Sequence, residues 1–359
     1  MPRPSRAVAI DQALLAEVQR HPRDLVRVVA ERIGVTRQSA VKRANALVAT
    51  GFLTRSGSTR PTYALGHRRQ RIQRYDLAAL AEDRVWSTDV APLMANLARD
   101  VNDICHYGLT EMVNNAIDHS GGTHVNLYVL VDARRVTMMV HDDGVGIFRK
   151  IARHLDLPDE RLALLELSKG KLTTDPAHHT GEGVFFASRV FDTFVIESGG
   201  LMFNHADAVA DDFLLDLDED RGGTTVLMGI DPASPRTLSE VFERFSSGPD
   251  EFAFDRTVVP VRLARIGREN LVSRSQAKRL LRRVDRFRRV VLDFAEIELI
   301  GQGFADEIFR VFAHAHPEVT LTAVNVAPDV AQMIVRAGGQ VQIGLFDADE
   351  AQPRLDLGD

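Results

Sequence analysis

Four glycine- and carboxylate-bearing segments follow one another through the middle of this chain, and their order constrains the fold more than any bulk property. EMVNNAIDHS occupies 111–120, HDDGVGI 141–147, TGEGVFF 180–186 and GGTTVLM 222–228. The first lies on an apolar-rich helix from about Pro92 to Ser120, in which Glu111, Asn115 and His119 are spaced by four and share one face. Two alternating runs, HVNLYVLVD and RRVTMMVHD, read as an antiparallel strand pair, and the second runs into the glycines at 144 and 146. A helix from Val184 through Arg189 follows the third segment, and a closing strand begins at Thr224.

Composition sets the outer bounds. With 359 residues, 45% hydrophobic and 26% charged, the chain is globular and long enough for two or three domains. No apolar run approaches the ~18 residues of a membrane span, and the first residues lack the pattern of a signal peptide, so the expectation is a cytoplasmic protein with no membrane partner. Cys105 is the single cysteine. It excludes an internal disulfide and a thiolate zinc cluster, and is expected simply to pack.

The net charge of −6 conceals an asymmetry. Residues 1–74 carry 15 Lys+Arg against 4 Asp+Glu, while the remainder carries 29 against 46. A basic head on an acidic body suits one dedicated module for a polyanion and a different task behind it.

Within the head, Ile10–Arg20 and Asp24–Ile33 read as helices. Thr36 is a good N-cap for a third, with Val41, Ala44, Leu47 and Val48 on one stripe and Gly51 at its end. FLTRSGSTRPTYAL then offers two β-prone runs around a Ser/Gly/Arg tip. This order resembles the winged helix-turn-helix domains of bacterial transcription regulators over residues 8–66. The resemblance implies that Arg37, Gln38, Ser39, Lys42 and Arg43 meet double-stranded DNA from the third helix, with Arg55 and Arg60 on phosphate from the wing. A module for protein contacts is the plainer alternative. HRRQRIQR opens a stretch, 67–90, read as a linker running into a helix.

The four central segments occur in the order and spacing of the GHKL ATP-binding fold, shared by gyrase, MutL, histidine kinases and anti-sigma kinases, and the resemblance spans residues 91–231. It implies that Asp142 accepts a hydrogen bond from the adenine amino group and that Gly144 and Gly146 let backbone approach the nucleotide. It further implies that Thr224 supports the same pocket, that Asn115 gives an oxygen to Mg2+, and that Gly181 and Gly183 turn backbone N–H groups to phosphate. LLELSKGKLTTDPAHH would be the ATP lid, with Lys169 and Lys171 reaching phosphate. Glu111 stands where hydrolysing and anti-sigma members place the catalytic base. Asp118 replaces the basic residue usual in histidine kinases. His178 and His179 lack the partners of a metal site, and His106 lies too near Glu111 to be a phospho-acceptor.

Beyond an acidic linker expected at 232–254, strands alternate with helices, which argues for a small α/β domain over 255–345. VVLDFAEIELIGQGFADEI resembles STAS domains, the fold of anti-sigma antagonists. Those carry a phosphorylatable Ser where this chain has Gly301-Gln302-Gly303, so the domain is expected to dock or sense rather than accept phosphate. Residues 346–359 read as an acidic tail.

The expected fold class is therefore α+β multidomain: a winged helix-turn-helix, a GHKL α/β sandwich and a small STAS-like α/β domain. The expected function is an ATP-responsive DNA-binding transcriptional regulator with ATP and Mg2+ as cofactors, and the expectation extends to a homodimer and to a protein partner on the STAS-like domain. The alternatives are an anti-sigma-type serine protein kinase acting on a separate partner and an ATP-gated DNA-handling or defence ATPase.

Overall fold

The structure, a computed structural model, describes residues 6–341 apart from 67, 96, 133, 174–179, 207–208, 218–219, 221, 249–250 and 267–268. His178, His179 and the acidic tail lie outside the described residues. The architecture is mixed α+β. Among the described residues no helix is long and apolar enough to cross a membrane.

The head consists of α1 (Arg6–Glu17), α2 (Leu25–Ile33), α3 (Arg37–Ala49) and the antiparallel hairpin β1 (Leu53–Ser56) and β2 (Thr62–Leu65). It has its own core, built on Leu14, Leu25, Val29, Ala44, Leu47 and Leu53. Gly34 ends α2 in the left-handed region (φ 69°), and Thr36 caps α3 by accepting from the Ser39 amide, so the tight turn between these helices is written in two residues.

A seven-stranded antiparallel sheet forms the body, in the order β3-β4-β5-β9-β6-β7-β8. Its strands are β3 (Arg69–Asp76), β4 (His124–Val131), β5 (Val136–Asp142), β6 (Thr193–Ser198), β7 (Leu201–Ala206), β8 (Val209–Asp216) and β9 (Thr224–Ile230). The strand pair expected from alternation is β4 and β5, in register from Val125↔Asp142 to Val131↔Val136. The stretch expected as a linker behaves differently: 69–76 becomes edge strand β3, paired with β4 along its length. Its polar pattern hid it. Arg69 donates to Leu93 O, while Arg71 and Tyr75 converge on the buried carboxylate of Asp89, which satisfies the inner face without apolar residues.

Short helices α4 (Glu82–Val85) and α5 (Ala91–Met94) precede the long α6 (Arg99–His119), so the expected continuous helix from Pro92 is broken before Arg99. α6 buries Val101, Ile104, Cys105, Leu109, Met112, Val113 and Ala116, the i, i+3, i+4 stripe of a helix laid on a sheet. His106, on its other side, stacks on Trp86 with ring centroids 4.5 Å apart. The remaining body helices are α7 (Ile147–His154), α8 (Leu162–Lys169) and α9 (Gly183–Val190).

The expected linker at 232–254 also folds. Thr237 and Glu240 form a reciprocal capping box that starts α10 (Leu238–Arg244), and the hairpin β10 (Ser246–Gly248) and β11 (Glu251–Phe254) follows. Phe242, Phe245 and Phe254 give this segment its reason to pack, since they interlock with Phe185 and Phe186 of α9 at centroid distances of 4.5 to 6.1 Å.

The C-terminal part holds a parallel sheet in the order β12 (Arg256–Pro260), β13 (Arg289–Asp293), β14 (Thr320–Val324). Around it lie α11 (Arg274–Leu281), α12 (Gln302–Asp306), α13 (Ala313–Ala315) and α14 (Pro328–Arg336). Gly301 is the N-cap of α12, which begins at Gln302. The core of this part is continuous with that of the body, bridged by Phe254 against Phe287 at 5.3 Å.

Candidate functional site

A cavity of about 580 Å³ opens between α6, the ends of β5 and β9, and α10, a volume in the range of small-molecule and cofactor sites. α6 runs along it. Glu111, Asn115 and His119 all line the cavity from one helical face, and at 1.5 Å per residue Glu111 and His119 stand about 12 Å apart along the axis. The cavity thus has two ends.

At the His119 end sits Asp142, 6% exposed at the last position of β5. Its Oδ1 accepts from the Gly144 amide at 2.9 Å and the Thr224 amide at 3.3 Å, which leaves Oδ2 for a donor in the cavity. Burial raises its carboxyl pKa against the lowering effect of those two amides. A buried acceptor with one oxygen to spare fits the exocyclic amine of adenine. Gly146 lines the same end at φ 89°, where a Cβ would come within 2.6 Å of Ser198 Oγ. Thr224 lines it as well, and its Oγ1 accepts from the Ile147 amide, tying β9 to the start of α7.

At the other end Gly181, Glu182 and Gly183 open α9 beside Glu111. Gly183 approaches Glu111 so closely that a Cβ there would lie 1.9 Å from Oε2. Amides at the N-terminus of α9 and the carboxylate of Glu111 therefore share this end, the arrangement in which a phosphoryl group and its attacking nucleophile would meet. Tyr107, one turn before Glu111, also faces the cavity; burial first, then the charges of Glu111 and Glu182, raise its pKa.

Three expected site residues are placed elsewhere. Gly144 is absent from the cavity wall, and what requires glycine there is Ser120, whose carbonyl oxygen would lie 2.2 Å from a Cβ. Lys169 is fully buried at the end of α8, bonded to Glu166 Oε1 at 2.7 Å and Arg282 O at 2.9 Å, and burial lowers its pKa to about 8. Lys171 donates to Arg286 O and lies over the Phe254 and Phe287 rings. Of the expected lid, 164–171 is instead most of α8 and its cap, because Leu164, Leu165 and Leu167 belong to the core, and 174–179 lies outside the described residues.

Lys150, which sequence reasoning passed over, lines the cavity from the first turn of α7, its Nζ donating to His119 O at 2.6 Å. Ser239, Phe242, Glu243, Ser246 and Phe254 complete the wall from the segment read as a linker, and the capping signature Thr237…Glu240 was the signal available for it. Asn115 lines the cavity between Glu111 and His119; among the described residues no group of three or more His, Cys, Asp or Glu could hold a metal ion.

In the head, Arg37, Gln38, Ser39 and Lys42 are exposed on the N-terminal part of α3, and Arg55 and Arg60 on the hairpin. Arg43 is engaged: its guanidinium grips Asp11 of α1 through both Nε and Nη2, which holds it to the helix pair.

Residues 74–203 match the sequence profile of the histidine kinase-like ATPase domain, and residues 276–331 that of a STAS-like domain of unknown function. No curated protein matches the chain. The first match begins within β3, inside the stretch expected as a linker, and covers Glu111, Asn115, Asp142, Gly146, Gly181 and Gly183. The chain therefore carries a histidine kinase-like ATPase domain of the GHKL type, followed by a STAS-like domain.

Proposed function

We propose that this protein is an ATP-responsive DNA-binding regulator of transcription, in which ATP in the cavity sets how the basic head engages duplex DNA. The observation that carries the nucleotide half is the buried Asp142 with its Oδ2 left for a cavity donor, at the far end of α6 from Glu111. In this reading Asp142 holds the adenine amine, Lys150 beside His119 reaches the α-phosphate, the α9 amides at Gly181 and Gly183 hold the terminal phosphate oxygens, and Asn115 gives an oxygen to Mg2+. Bound Mg2+ would neutralise phosphate charge. Glu111 would take a proton from the group attacking the terminal phosphate, which resets the protein through slow hydrolysis.

The head supports the DNA half by order and charge: two helices, a tight turn, a third helix with exposed Arg37, Gln38, Ser39 and Lys42, then a hairpin presenting Arg55 and Arg60. Placed in the major groove, the N-terminal part of α3 reads base edges while the hairpin contacts phosphate. DNA affinity measured with ATP, with ADP and without nucleotide tests the coupling. Three equal affinities would sink it.

A second reading, a serine kinase of the anti-sigma type, is favoured by the Glu111 carboxylate at the phosphate end of the cavity. Transfer of label from the γ-phosphate of ATP to a partner protein, lost in Glu111→Gln, is its test.

A further inference from the structure

The cavity wall nearest Glu111 is not held by the ATPase domain alone. Leu172, Thr173, Thr180 and Gly181 face the cavity, and the Leu172 amide donates to Gly181 O at 3.0 Å, which fastens the two sides of that wall together. The Leu172 side continues directly from Gly170 and Lys171, at φ 80° and 50°, where the helix has ended and its carbonyls need new partners.

Those partners come from the STAS-like part of the chain. Arg283 Nη2 donates to Gly170 O at 3.0 Å and to Lys171 O, and Arg286 Nη1 adds a bond to Lys171 O at 3.2 Å. Thr257 Oγ1 donates to Lys169 O at 2.8 Å. The other arm of Arg283 meets Glu166 Oε2 at 3.0 Å, and Glu166 Oε1 accepts from Lys169. The Glu166, Lys169 and Arg283 side chains are 2%, 0% and 9% exposed. A planar guanidinium that joins a buried carboxylate to two carbonyls fixes all three in direction as well as distance, which a point-charge ammonium does not.

We propose that Arg283 is a positioning residue for the nucleotide site, a fork through which the STAS-like domain holds the phosphate-side wall of the cavity and so tunes affinity for the triphosphate. The proposal rests on the ATP reading for its ligand. Its geometry predicts an effect at the Glu111 end and none at the Asp142 end, which adjoins His119 about two turns further along α6. ATP reaches both ends, whereas AMP reaches the Asp142 end and lacks the terminal phosphates.

The test uses the full chain, wild type against Arg283→Lys, with Arg283→Met as the second variant. Lysine keeps a cation beside Glu166 and loses the fork. Amide hydrogen exchange at Leu172 without nucleotide is expected to quicken about tenfold in Arg283→Lys under conditions where the amides of β4 and β5 exchange as in wild type, and ATP affinity to fall about tenfold while AMP affinity changes less than about twofold. Unchanged exchange at Leu172 overturns the proposal whatever the nucleotide data, as does an equal loss for ATP and AMP. Faster exchange in a protein whose wild type binds neither nucleotide upholds the fork and overturns the ATP reading instead.

Discussion

Gly183 and Glu111 occupy one space: a methyl group added at Gly183 would lie 1.9 Å from Glu111 Oε2 and 2.7 Å from its Cδ. The glycine that opens α9 thus leaves room for the carboxylate at the end of the cavity away from Asp142.

An alanine at this helical position gains propensity worth up to about 1 kcal/mol, while the atoms it meets are the mobile end of Glu111, which swings aside at some cost. Gly183→Ala should therefore raise Tm less in the wild-type chain than in a Glu111→Ala background. An equal change in both backgrounds would show that the contact does not govern the position. Any ATP turnover should fall in Gly183→Ala more than ATP affinity does.

Asp142 carries a pH signature. Because burial raises its pKa above the ordinary 3.8, the folded chain binds that proton more tightly than the unfolded one. The cost of ionising it in the fold therefore grows as pH climbs from 3.8 through the raised value, and is complete at neutral pH. Asp142→Asn still offers an oxygen to the Gly144 and Thr224 amides, so it should melt above wild type at pH 7, with the gap closing towards pH ~4. It should also bind ATP at least about tenfold more weakly, because its amide turns a donor towards the adenine amine. A melting point at or below wild type at pH 7 contradicts the assignment.

The basic residues of α3 should divide into two classes. Arg37→Ala and Lys42→Ala are expected to weaken DNA binding, each lowering the salt slope by about 1 where it contacts phosphate, and to leave Tm unchanged. Arg43→Ala and Asp11→Ala should each lower stability by under about 1 kcal/mol, since the pair is half-exposed. Arg43→Ala melting like wild type while losing DNA affinity would return Arg43 to the interface.

Cys105 is fully buried, and burial pushes its thiol up to about 12. A thiol reagent at pH 8 should leave the native chain unlabelled and label it once per chain in denaturant. Labelling faster than global unfolding would place the sulfur near solvent.

Elements with strong periodicity were legible before any coordinates. The face shared by Glu111, Asn115 and His119, the β4–β5 pair and the Thr36 cap each follow from spacing within one segment. Arg69–Asp76 was not legible, because RQRIQRYD is polar on both faces and becomes a strand only where the edge of β4 offers backbone partners and Asp89 gathers Arg71 and Tyr75. Lys169 misled for the opposite reason. Ser-Lys-Gly-Lys before a glycine turn resembles a phosphate loop, yet the neighbour that buries Lys169 is Arg283 with its flanking chain, more than a hundred residues away.

By itself the sequence determined which groups this protein can bring to a nucleotide: a glutamate and an asparagine one turn apart, an aspartate before two glycines, and a glycine-led helix. Periodicity and turn chemistry act over a few residues, and that range is enough to set them on the right elements. Tertiary structure alone decided which of them line the cavity, that Lys150 joins them, and that α10 and the STAS-like domain complete and brace the wall. Burial and desolvation depend on neighbours distant in the chain, and they separate a lysine that lines the cavity from one that holds a core carboxylate.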